Sequence, residues 1–114
     1  MFQYFQYRAT MKFPRPESYR EDMELVHGLE TDAEREQMWS NVASAAETGW
    51  DFPRDGWFAQ EGPDLHDMKS IRTWSIVPVD LNAFMCINMR ILASFYEISG
   101  DFKRFQEYQA RYEK

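Results

Sequence analysis

A chain of 114 residues, 28% charged and 44% hydrophobic with a formal net charge of −6, is bounded to a single small, soluble, globular unit. The negative balance and the scatter of the 13 Lys and Arg exclude nucleic acid, whose phosphates demand clustered cations. One cysteine, Cys86, excludes a disulfide framework and a Cys-based metal site, and in its apolar setting it reads as a small buried hydrophobe.

Residues 1–13 alternate aromatic and polar side chains (Phe2, Tyr4, Phe5, Tyr7, Phe13) without a helical period. Met1-Phe2-Gln3-Tyr4 has neither a basic region nor an apolar core, so no secretory signal is expected. Pro14 and Pro16 then enforce extended backbone. Ser18 can cap a helix whose first turn carries Glu21 and Asp22, with Met23, Val26 and His27 on one face and Gly28 as the stop.

Thr31-Asp32 opens a second helix with a narrow stripe of Trp39, Val42, Ala43 and Ala46, ending at Thr48-Gly49. From Trp50 to Lys69 the prolines and glycines predict a long irregular loop, and its aromatics (Trp50, Phe52, Trp57, Phe58) need not belong to a core. Asp80 or Leu81 starts a helix reaching about Ile98. Its apolar residues run nearly all round, which predicts burial on more than one side. Asp80 and Asn82 read as its caps. Gly100-Asp101 turns the chain into a final helix striped by Phe102, Phe105, Tyr108 and Tyr112. No run of about 18 apolar residues is evident, so no membrane span is expected. The fold class is all-α, built of helical hairpins. Helices so apolar in so short a chain suggest part of a larger domain.

The chemistry concentrates in Gly49-Trp50-Asp51-Phe52, a carboxylate between two aromatics. Pyranose C–H faces stack on indole rings, and a desolvated carboxyl keeps its proton for a leaving oxygen. The bland alternative is a loop aspartate that caps a turn. Upstream, Arg15 offers a planar fork to vicinal hydroxyls, and Glu17 can hold Arg15 or accept a hydroxyl itself. The competing reading is a surface ion pair worth little. Asp64, His66 and Asp67 resemble a loose metal cluster but lack second partners at ligand spacing, so they read as a solvated loop and neither metal nor cofactor is expected. His27 and His66 read as solvent-facing or capping residues.

Three collinear segments, Pro14-Arg15-Pro16-Glu17-Ser18-Tyr19, Gly49-Trp50-Asp51-Phe52 and Ile71-Arg72-Thr73-Trp74-Ser75-Ile76-Val77-Pro78-Val79-Asp80-Leu81-Asn82, resemble those of the α,α-trehalase glycosidases over roughly residues 7–100. The resemblance implies an (α/α)6 toroid of which this chain is a slice. It implies inverting, metal-free hydrolysis of trehalose to two glucose molecules. It further implies Asp51 as general acid and Arg15, Pro16, Glu17 and Gly49 as sugar contacts, to which the stacking of a pyranose on an indole adds Trp50. The sequence departs from that pattern at Pro53-Arg54-Asp55-Gly56, one residue longer than usual, and at Trp74, where threonine is common. No glutamate here matches the family's glycine-rich base segment, so the chain is expected to be a middle portion lacking the base and inactive alone. A non-catalytic helical module binding sugar or a protein partner is the alternative.

Overall fold

A computed structural model describes residues 4–50, 57–58 and 67–113. Among these it delimits four α-helices, α1 (Tyr19–Leu25), α2 (Asp32–Glu47), α3 (Val79–Ser99) and α4 (Phe102–Tyr112). Single 3-10 turns lie at Pro16–Ser18, Met68–Ser70 and Thr73–Ser75, and no strand occurs among the described residues. The all-α class follows. The chain forms two compact units, Tyr7–Ile76 and the pair of segments Met1–Gln6 with Val77–Lys114.

The first unit is built around α2, and its start is set by local chemistry. Thr31 Oγ1 accepts from the Glu34 amide at 3.2 Å, while Glu34 Oε2 accepts from the Thr31 amide at 3.0 Å and from its hydroxyl at 2.8 Å. This capping box satisfies donors that helical geometry leaves orphaned. The expected narrow stripe is wrong, however. All seven residues from Trp39 to Ala45 are buried, while Ala46 is exposed.

The reason is that α2 is covered from two directions. On one side the extended N-terminal strap is held by serines one turn apart. Ser44 Oγ accepts from the Ala9 amide at 2.9 Å, and Ser40 Oγ accepts from the Met11 amide at 2.9 Å. The strap, having no helix or strand partner of its own, satisfies these amides on side chains, which turns Ser40 and Ser44 into core residues. On the other side Val42 and Ala45 pack with Trp57, Phe58 and Ile71. Trp57 (9% exposed) and Phe58 (4%) are therefore core, against the expectation that loop aromatics need not be. His27 is exposed, as expected; His66 lies outside the described residues.

The second unit is an antiparallel hairpin of α3 and α4. Gly100 turns it at φ +77°, a left-handed conformation that favours glycine. Asp101 then caps α4 by accepting from the Arg104 amide at 3.1 Å. Tyr96 stacks on Tyr108 with centroids 5.4 Å apart, closing the hairpin. Within α3 only Met89 and Ala93 are buried, so the predicted burial on several sides does not occur. Phe84, Ile87, Ile91, Phe95 and Ile98 are exposed, because α4 covers one stripe and a single helix can do no more. Cys86 is exposed for the same reason and is not the buried hydrophobe expected.

The expectation of no apolar span also needs correction. The stretch Met68–Ser99 contains an 18-residue window of mean hydropathy 1.4, long and apolar enough by length and composition to cross a membrane, with 17% of it buried. Nor does Asn82 cap α3. Its Oδ1 accepts from the Phe5 amide at 2.8 Å and its Nδ2 donates to the Phe5 carbonyl at 2.9 Å, a side-chain imitation of a strand pair. The N-cap position is Pro78, without a side-chain bond, and Asp80 Oδ1 accepts from the Leu81 amide at 2.8 Å.

The bonds from Thr31, backbone first and hydroxyl second, hold the Glu34 carboxyl below its ordinary 4.5. A depressed folded-state value gives stability that is present above about pH 4.5 and lost as pH falls through the folded value. Amide exchange in the first turn of α2 should therefore accelerate in acid. Thr31→Ala removes the hydroxyl but keeps the amide, so it should reduce that pH step without abolishing it and cost the helix about 1 kcal/mol.

Candidate active site

Arg15 sits between two prolines, and Pro16 dictates its extended backbone (φ −64°, ψ 133°). Pro16 opens the 3-10 turn to Ser18, where ring and missing amide both suit the first position. Ser18 ends the turn with its amide on the Arg15 carbonyl at 3.2 Å, but its side chain caps nothing. The fold then brings Asp22, in α1, back onto Arg15.

Asp22 is 1% exposed and pairs with Arg15 twice, from Nη2 to Oδ1 at 2.7 Å and from Nε to Oδ2 at 2.9 Å. Oδ2 also accepts from the Arg15 amide at 3.0 Å. The partner of Arg15 is thus Asp22 and not Glu17, and the pair is no surface bridge, with side chains 13% and 2% exposed. Hydrogen bonding to Asp22, aided by its charge, raises the Arg15 guanidinium above its ordinary range against the penalty of burial. From α2 the Trp39 indole donates to the Asp22 backbone carbonyl at 3.0 Å, so the main chain that carries the carboxylate is tied to the core helix.

Beside this pair lies an open cavity of about 330 Å3, lined among others by Arg15, Pro16, Glu17, Ala43 and Glu47. Its size is at the lower end of small-ligand pockets. Three sequence-predicted residues therefore share one wall. Glu47, which sequence reasoning did not single out, faces them from the last turn of α2. Its only sequence signal was its place four residues before Asp51.

Gly49 follows directly. It is exposed, at φ +71° with its amide on the Ala46 carbonyl at 3.3 Å, the left-handed stop that releases the chain from α2. A Cβ there would meet nothing within 4 Å, so backbone conformation alone selects glycine. The Trp50 amide donates to Thr48 Oγ1 at 3.0 Å and its side chain is 55% exposed. Asp51, Phe52 and the Pro53–Gly56 departure lie outside the described residues. Asp67 Oδ1 accepts from the Lys69 amide at 3.0 Å as the cap of a 3-10 turn. No group of three or more His, Cys, Asp or Glu suited to a metal occurs among the described residues.

The part of the third segment from Ile71 to Ile76 packs on α2 and does not line this cavity. The Trp74 amide donates to Asn41 Oδ1 at 2.9 Å, and its indole donates to Ser44 Oγ at 3.0 Å. The Arg8 guanidinium lies 4.6 Å from the Trp74 ring centroid.

The sequence profile described as Trehalase matches residues 2–114. The chain belongs to the trehalase family. It is 40% identical over 95 residues to the Trehalase of Pimpla hypochondriaca, an alignment covering 83% of this chain and 16% of that protein. With the Homo sapiens Trehalase it shares 40% over 96 residues, covering 84% and 16% respectively. With the Dictyostelium discoideum Trehalase it shares 36% over 107 residues, covering 94% and 18%. The chain thus spans about one sixth of the length of these relatives. The contacts of Trp74 with Arg8 and Ser44 give it a packing role.

Trp74→Thr should accordingly destabilise the segment by about 3 kcal/mol, chiefly through the lost indole volume. Thermal melting checks this. An unchanged midpoint would show the indole to be dispensable.

Proposed function

We propose that this chain supplies the proton-donating side of an inverting trehalase site, hydrolysing trehalose to two glucose molecules. Asp51 is the general acid, and Arg15, Pro16, Glu17, Gly49 and Trp50 form part of the sugar-binding wall. The observation that carries this reading is the cavity shared by Arg15, Pro16, Glu17 and Glu47, at the end of the helix that runs on into Gly49-Trp50-Asp51. Family membership supplies the reaction class.

The residue types suit a neutral polyol. Arg15 with Asp22 forms a compensated pair that still carries unspent N–H donors, while Glu17 and Glu47 accept from hydroxyls without demanding charge on the ligand. An exposed indole at Trp50 offers a face for pyranose C–H groups. Inversion needs a protonated carboxyl at the glycosidic oxygen and an ionised one across the ring, about 6.5–9.5 Å away so that water fits between. The opposing base belongs to the portion of the family that this chain does not span. The exposed apolar faces of α3 are the surfaces that the toroid's other hairpins cover, which accounts for hydropathy 1.4 without a bilayer.

The test is a chimera in which this chain replaces the matching segment of the Homo sapiens Trehalase. Asp51→Asn in that chimera should lower kcat for trehalose by about 10²–10⁴-fold with folding unchanged. Turnover near the parent rate would remove Asp51 from the role. The 114-residue chain alone should show no turnover of trehalose.

A further inference from the structure

The geometry points to Asp22 as a positioning residue for sugar recognition, one that sets the direction of the Arg15 fork without touching substrate. This rests on the reading of Arg15 as a sugar contact. One buried carboxylate binds both ends of the same residue: the Arg15 amide at 3.0 Å and the guanidinium at 2.7 and 2.9 Å. The two anchors fix the side chain from backbone to tip, so its rotamers are surrendered on folding and not on binding.

Which donors remain is equally determined. Of the five guanidinium N–H groups, Asp22 engages Nε and Nη2 along one edge. Those on Nη1 and the outer side of Nη2 point away from Asp22, on a residue that lines the 330 Å3 cavity. A planar pair of donors at fixed spacing matches two adjacent hydroxyls of a ring. The Asp22 backbone is in turn tied to α2 by the Trp39 indole at 3.0 Å, and burial leaves its carboxylate no solvent to turn into. The charge is balanced as well, so a ligand hydroxyl meets oriented dipoles and not an unpaired cation. Asp22 is the innermost member of a chain running from α2 through α1 to the cavity wall.

The test is chemical rescue in the chimera described above, read as kcat/KM for trehalose. Arg15→Ala should cost about 100-fold, the scale of a misplaced binding group. Millimolar guanidinium should then restore about tenfold, captured in the vacated space by the Asp22 carboxylate. In Arg15→Ala/Asp22→Asn the same guanidinium should restore nothing, and in Arg15→Ala/Asp22→Glu rescue should need a higher concentration. A role limited to stability would shift melting in these variants without making rescue depend on the carboxylate. Equal rescue with and without Asp22, or no rescue of Arg15→Ala, overturns the positioning role. Arg15→Ala at the parent kcat/KM overturns the prior reading of Arg15 instead.

Discussion

A buried carboxylate bonded to a buried guanidinium is the constraint around which the first unit is arranged. Asp22 is almost wholly removed from water, and leaving either member alone would cost about 3–5 kcal/mol. The two prolines, the 3-10 turn and the first turns of α1 form the loop that lets residue 22 reach residue 15. Each also fixes a neighbour: Pro16 sets the backbone of Arg15, and Trp39 ties α1 to α2. Of these groups Arg15, Pro16 and Glu17 also line the cavity.

The core helix illustrates how polar groups can be interior without penalty. Ser40, Asn41 and Ser44 are buried on α2, and each is bonded to a segment crossing the helix or to its own preceding turn. Small hydroxyls allow close approach of the strap and of the Trp74 indole, and apolar residues of equal size would leave several backbone amides unsatisfied. Specificity of this packing lies in hydrogen bonds, while Val42, Ala45, Trp57, Phe58 and Ile71 supply the apolar burial.

Helix existence and limits were largely legible from caps and stops. Thr31, Gly49, Gly100 and Asp101 act through local geometry that a sequence displays directly. Burial was less legible, because periodicity tells which side of a helix is apolar but not whether anything lies against it. Hence Cys86 and the faces of α3 are exposed, whereas serines of α2 are covered. At the candidate site, Arg15, Pro16 and Glu17 were found through motif resemblance and do share a cavity. The sequence pointed to Glu17 as the partner of Arg15 and missed Asp22, since Glu17, Glu21 and Asp22 are equally acidic and only the turn geometry chooses among them.

The bond pair between Asn82 and Phe5 has a consequence for biosynthesis. The second unit is discontinuous in sequence, with residues 7–76 inserted between its two pieces. During translation at roughly 5–20 residues per second, the N-terminal piece waits on the order of 4–15 s before residue 82 emerges. The intervening unit can mature in that interval, so the order of synthesis separates closure of the two units in time.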